Sequence, residues 1–252
     1  MRGKYFFKKF SPQINTNLNK KRIYMQFDRT EKLICKENVE KIKSKKVIIF
    51  GVGGVGSFVC EGLARAGVGF ITIVDSDKVS ISNINRQIIA LHSTIGRPKV
   101  EVMKERILDI NPNAKVHALQ KFVSKENLQE FNLKEYDFVI DAIDNITAKI
   151  ELAVMCENLG INLISCMGTG NKLKPELFEI DDIYKTSVCP LAKVMRRELK
   201  AREVSKLTVL YSKEQPINLT GERTPASISF TPSIAGLRIA EYVIHSFISY
   251  KA

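Results

Sequence analysis

Residues 1–24 are rich in Asn and Lys and show no hydrophobic period, which reads as a disordered extension outside the folded unit. Order begins after Met25. From Phe27 to Ile42 the apolar residues Leu33, Ile34, Val39 and Ile42 recur among charges at helical spacing. Short, nearly continuous apolar runs then appear at Lys46–Phe50 and Phe70–Val74, as expected of strands covered on both faces. Lys115–Leu119, Asp137–Asp141 and Asn162–Cys166 read as three further strands. Helical patterns separate them. Residues 54–66 place Val55, Phe58, Val59, Leu63 and Ala66 along one face, Pro98 opens a helix to Ile110, and another covers Ala148–Leu159. After Gly170 the alternation stops. A helix over Leu191–Arg202, a strand over Leu207–Ser212, a polar loop over Glu214–Pro225, a short strand over Ile228–Thr231 and a last helix over Ile234–Tyr250 are expected there. The pattern predicts an α/β chain of Rossmann-like type: a mostly parallel sheet with helices on both faces, plus a C-terminal α+β extension.

The connection between the first strand and the next helix is Gly51-Val-Gly53-Gly54-Val-Gly56-Ser57. Glycines there let the backbone approach a phosphate, and the helix N-terminus turns free N–H groups toward its charge. Asp75 closes the second strand, where a carboxylate typically takes ribose hydroxyls. These features alone suit NAD and ATP equally. Asp77, the run Asn83-Ile-Asn-Arg86-Gln87, and Lys99 after Gly96 favour ATP. An Arg and a Lys converging on the carboxyl ends of the strands can offset phosphoryl charge in a transition state, which hydride transfer does not require. At the end of the fourth strand Asp141 and Asp144 bring carboxylates to the same rim, one of them suited to Mg²⁺ shared with phosphate oxygens. Residues 25–252 then form a single domain, with a nucleotide-binding core at about 27–170 and a substrate-side extension at 171–252.

Composition changes the picture in two places. The chain has 252 residues, 44% hydrophobic and 26% charged, the balance of a globular protein. Its net charge of +12 suggests an anionic partner. Residues 1–24 carry seven basic groups and no acid, however, so only +5 belongs to residues 25–252. Met25 is a second candidate start. Five cysteines, odd in number and without CxxC spacing, argue against a disulfide scaffold and a four-cysteine zinc site, so no zinc is expected. A reducing compartment, the cytoplasm, fits them. Cys60, Cys156 and Cys166 fall in expected core elements, which leaves Cys189, in a loop beside Pro190, as the remaining candidate thiol. No run of 18 apolar residues exists.

The GVGGVGS loop, the Asp75-x-Asp77 pair, the NxxRQ run and the Gly96-x-x-Lys99 turn resemble the ThiF/MoeB/ubiquitin-activating superfamily of adenylating enzymes from about Phe27 to Gly170. The resemblance implies that Gly53 and Gly54 lie against the nucleotide phosphates and that Asp75 takes the ribose. It likewise implies that Arg86 and Lys99 contact the phosphates, that Asp144 holds Mg²⁺, and that Arg29 reaches into the ATP site of the other protomer of a homodimer. Within the superfamily, the absent CxxC pairs depart from zinc-holding activators of sulfur carriers. Tyr136–Asp144, the turn Ser165-Cys-Met-Gly168-Thr-Gly170, Asp182-Ile-Tyr-Lys185-Thr, Pro190-Leu-Ala-Lys193 and Pro225-Ala-Ser-Ile-Ser resemble the tRNA threonylcarbamoyladenosine dehydratase branch. Cys189 stands where that branch has an acid.

That branch implies ATP-driven activation of the threonyl carboxylate at adenosine 37 of a tRNA, followed by ring closure, with a cysteine desulfurase or sulfur-acceptor system as a further partner. It also implies a surface for tRNA. Lys193, Arg196, Arg197 and Lys200 recur at one helical face and suit a phosphate backbone, though a solvated face accounts for them equally well. The last helix reads as packed on the core, with contact to a membrane surface as the alternative. Adenylation of a ubiquitin-like sulfur carrier and an inactive dimeric nucleotide-binding module are the competing functions.

Overall fold

A computed structural model describes residues 26–219, 221–222 and 224–248; the basic extension and the end of the last helix expected at Tyr250 lie outside them. Seven strands form one sheet in the order β3-β2-β1-β4-β5-β7-β6. They are β1 Lys46–Phe50, β2 Phe70–Val74, β3 Lys115–Leu119, β4 Phe138–Asp141, β5 Leu163–Cys166, β6 Phe178–Asp182 and β7 Thr208–Ser212. All neighbours pair in parallel except β6, which runs antiparallel to β7 at the edge. The helices are α1 Asp28–Ile34, α2 Lys36–Ser44, α3 Gly56–Ala66, α4 Lys99–Ile110, α5 Ile146–Leu159, α6 Pro190–Lys200 and α7 Phe230–Phe247.

The period of two along each strand divides the core. Val47 and Ile49 of β1 face Ile42, Leu63, Met103 and Ile239, from α2, α3, α4 and α7. Ile48 and Phe50 face the other side, toward Leu152 of α5 and Met195 of α6. Each central strand is covered on both faces, which is why its sequence reads as an unbroken apolar run.

Three expectations need correction. The single helix expected over Phe27–Ile42 is two, broken at Cys35, whose φ of 67° leaves the helical region. No strand forms at Ile228–Thr231; helix α7 begins at Phe230, and Pro232 sits in its first turn, where no backbone N–H is needed. Strand β6 was not expected. Phe178-Glu-Ile-Asp-Asp182 is an edge strand held on one side, so it tolerates acids that a central strand excludes.

Helices α3 and α4 are tied by Glu61, which accepts from Arg106 Nε at 2.6 Å and Arg65 Nε at 2.7 Å. Burial by itself pushes the Glu61 carboxyl up, but the two guanidiniums outweigh it and hold the group below the usual carboxylate range. A lowered native pKa stabilises the fold above the unfolded value and loses that contribution as pH falls through the native one. Glu61→Gln is expected to cost about 1 kcal/mol near pH 7, because both guanidiniums keep solvent contact. The difference from the parent should vanish once Glu61 is protonated in both states. Urea melts at neutral and acid pH check this; a cost independent of pH would place it in packing instead.

Candidate active site

The glycine loop leaves the carboxyl end of β1 at the centre of the sheet, where the flanking strands diverge. Gly51 has φ +88°, a conformation that favours glycine, and a Cβ there would lie 2.5 Å from Ala142 O. A Cβ on Gly56 would lie 1.8 Å from Gly51 O. The loop is therefore folded on itself and pressed against the turn after β4. By contrast, a Cβ on Gly53 would meet only Gln87 Nε2, at 3.8 Å, and one on Gly54 would touch Pro232 and Arg86 Cγ. Gly51 and Gly56 set the loop's shape, while Gly53 and Gly54 line its accessible side.

Asp75 follows β2 and orders this rim. Its Oδ2 accepts from Val52 N at 2.7 Å and its Oδ1 from Asp77 N at 2.8 Å. Lys99, buried at the start of α4, donates to Asp77 Oδ2 at 2.7 Å and stands 4.0 Å from Asp75 Oδ2. Asn83 caps the turn at Ile81–Asn83 by accepting from Ser80 N. Arg86 leaves that turn with Nη1 donating to Ser82 O and Asn85 Oδ1. The structure thus gathers Gly53, Gly54, Asp75, Asp77, Arg86, Gln87 and Lys99 around one mouth. Among the described residues, the buried side-chain oxygens without a hydrogen-bond partner are Ser57 Oγ and Gln87 Oε1, both on this rim. Such groups are rare in folded proteins, and these two keep bonding capacity that a polar ligand at the mouth can use.

The two carboxylates after β4 differ in kind. Asp144 is exposed on the turn leading to α5, whose N-cap Asn145 accepts from Ala148 N. Asp141, in contrast, is fully buried. It accepts from Lys149 Nζ at 3.0 Å, from Ser165 Oγ at 2.5 Å and from Ile143 N at 3.0 Å. Asp141 is thereby removed from the candidate metal ligands. Among the described residues no cluster of three or more His, Cys, Asp or Glu forms a metal cage.

The remaining candidates lie apart. Arg29 is exposed on α1. On α6, Lys193, Arg197 and Lys200 are exposed, but Arg196 is half-buried and donates to Thr186 O and Thr186 Oγ1. The basic face therefore has three outward cations rather than four. Cys189 lies in the loop before α6, at the helix N-cap, and its side chain is buried. Burial pushes the thiols of Cys156 and Cys166 up to about 12 and that of Cys60 higher still, so none is a ready nucleophile. No described helix is long and apolar enough to cross a membrane. The last helix, α7, buries Ala235, Ile239 and Val243 against the core, as expected.

This geometry agrees with the sequence profile of the ThiF family, which matches residues 27–252. The chain belongs to the ThiF family. A relative in Bacillus subtilis, a tRNA threonylcarbamoyladenosine dehydratase, is 44% identical over 236 residues, covering 87% of this chain and 93% of its own. The fold is similar to solved structures of the E. coli tRNA N6-threonylcarbamoyladenosine dehydratase. Its AMP complex gives a TM-score of 0.83 at 30% identity, covering 88% of this chain and 94% of the other. Its ATP complex gives 0.79 at 31% identity with the same coverage. Both comparisons take in the extension after Gly170, so this ThiF-family chain shares more than a nucleotide-binding core with them.

Proposed function

We propose that this chain is an ATP-dependent tRNA threonylcarbamoyladenosine dehydratase. The observation that carries the reading is the identity shared with the Bacillus subtilis relative over nearly the whole of both chains, extension included. ATP lies with its phosphates on Gly53 and Gly54 and its ribose toward Asp75, where Ser57 Oγ and Gln87 Oε1 offer unused buried oxygens. Arg86 and Lys99 face the phosphates. Asp144 fits Mg²⁺, which takes one or two carboxylates and shares the rest of its shell with phosphate oxygens and water. When bound, the ion offsets charge on the phosphates.

The threonyl carboxylate of N6-threonylcarbamoyladenosine-37 attacks the α-phosphorus. The bond to the β-phosphate breaks, pyrophosphate leaves, and an acyl-adenylate forms. An atom of the adjacent urea then attacks the activated carboxyl carbon, AMP departs with the bonding pair, and the urea N–H proton passes to solvent. The nucleoside has lost one water. Closure is intramolecular, so its effective molarity is high and no enzyme thiol is required. That suits a chain whose Cys60, Cys156, Cys166 and Cys189 are all buried.

Arg29 acts on the ATP of a second protomer in a homodimer. The exposed apolar residues Ile81 (62%), Leu91 (55%) and Ile95 (42%), on the segment carrying Arg86, give a face for that contact. Lys193, Arg197 and Lys200 supply positive charge to the tRNA backbone, and the protein's free cysteines fit the reducing cytoplasm.

The test is direct. The protein is incubated with ATP, Mg²⁺ and tRNA bearing the threonylcarbamoyl group, and the nucleosides are weighed by mass spectrometry. Loss of one water, dependent on ATP, is the expected result. An unchanged nucleoside, together with pyrophosphate release on adding a ubiquitin-like sulfur carrier, would transfer the assignment to carrier adenylation.

A further inference from the structure

Beneath the glycine loop lies a buried ion pair. Lys149, on the first turn of α5, is 1% exposed, and Asp141, the last residue of β4, is 0% exposed. Lys149 Nζ donates to Asp141 Oδ2 at 3.0 Å and to Cys166 O at 2.8 Å, and stands 3.3 Å from Ser165 Oγ. One ammonium thus joins the carboxyl ends of β4 and β5 to the start of α5. As a source of stability such a pair is a poor choice, because well-packed apolar residues of similar volume serve as well or better. Geometry gives it a different use. Asp141 Oδ1 accepts from Ile143 N at 3.0 Å and so fixes the turn two residues on. Ala142 N donates to Phe50 O at 2.8 Å, and Ala142 O is the atom against which Gly51 is pressed. Asp144 follows Ile143 and precedes the N-cap Asn145. Asp144 therefore hangs between two clamps, and Lys149 closes the inner one.

We propose that Lys149 is a positioning residue for adenylation: paired with Asp141 and bound to Cys166 O, it holds the turn that presents Asp144 to the phosphate-bound cation. The proposal rests on the reading of Asp144 given above. Partners behind a ligating carboxylate typically change metal affinity or activity by 10- to 100-fold when lost.

Three variants test it: Lys149→Met, Lys149→Arg, and the double variant Asp141→Asn/Lys149→Met, which removes both buried charges together. The readouts are kcat and KM for ATP, the Mg²⁺ concentration giving half-maximal AMP formation, and ATP affinity by calorimetry with and without Mg²⁺. Lys149→Met and the double variant should lower kcat and raise the Mg²⁺ requirement by about tenfold or more. ATP affinity without Mg²⁺ should stay within about twofold, because the loop glycines are untouched. Lys149→Arg should recover much of the loss. If Lys149→Met does not fold, the double variant decides. Should the double variant melt within about 5 °C of the parent and keep its kcat and Mg²⁺ dependence, the proposal is overturned. It is also overturned if both unfold, since the pair is then a folding element. Asp144→Ala separates the two readings. If it shifts the Mg²⁺ dependence while the Lys149 variants do not, only the positioning role fails. If Asp144→Ala leaves that dependence unchanged, the metal assignment itself fails.

Discussion

Replacing Arg86 by alanine is expected to lower AMP and pyrophosphate formation by on the order of 10²- to 10³-fold, the cost of removing one preorganised group aimed at developing charge. The effect should fall on kcat rather than on KM for ATP, because charge grows on the phosphates as the carboxylate attacks and pyrophosphate leaves. The fold should survive. The turn that carries Arg86 is held by Ser80 N on Asn83 Oδ1 and by Arg86 N and Gln87 N on Asn83 O, none of which uses the guanidinium. The guanidinium holds Ser82 O and Asn85 Oδ1, acceptors it can exchange for phosphate oxygens. Arg86→Lys should recover only part of the rate, since an ammonium is a point charge without the planar fork that matches phosphate. Steady-state pyrophosphate release alongside a thermal melt makes the measurement. A variant that melts like the parent and keeps its kcat would remove Arg86 from the reaction.

The parts of the molecule legible in the sequence share one physical property: their local pattern and their tertiary environment agree. The bounds of β1 and β2 follow from the apolar runs, because a strand covered on both faces has few polar positions to blur it, while the edge strand β3 is marked by alternation, with Lys115 and His117 exposed. The glycine loop is legible because only glycine fits Gly51 and Gly56. Where the environment overrides the pattern, the reading fails. Nothing in Ile34-Cys35-Lys36 announces a left-handed residue that breaks the helix. Strand β6 looks like a loop since its acids face solvent at a sheet edge. Arg196 has the spacing of a surface cation, but Thr186 engages its guanidinium. The Asp141–Lys149 pair did leave a trace. A carboxylate at the end of an apolar strand needs a cation if it is buried, and Lys149 stands among Ile146, Ala148, Ile150 and Leu152, with Glu151 as the other charge of the stretch. Periodicity cannot say that those two charges meet, because the contact depends on how α5 returns across the sheet.

Gly56→Ala should damage the protein more broadly than any change at Arg86, and the comparison with Gly53→Ala tells what the loop is for. A methyl at position 56 would stand 1.8 Å from Gly51 O, a backbone atom, and 3.3 Å from Ala142 Cβ. Gly51 cannot retreat, since its own Cβ position is already 2.5 Å from Ala142 O. Relief requires moving β1's exit, and with it Val52 N, whose bond to Asp75 Oδ2 orders the rim of the site. Overpacking that displaces backbone costs about 3 kcal/mol, which in a chain of this size lowers the melting temperature by roughly 6–10 °C. ATP binding should fall with it. Gly53→Ala has no such clash, with only the Gln87 side chain nearby at 3.8 Å. It should melt within about 2 °C of the parent and still weaken ATP binding by about tenfold or more, because the methyl intrudes where the backbone is to meet phosphate. Calorimetric ATP titration and thermal melts of the two variants separate the roles. If Gly53→Ala keeps the parental ATP affinity, the phosphates do not rest on that backbone, and the loop is a turn shaped by Gly51 and Gly56 alone.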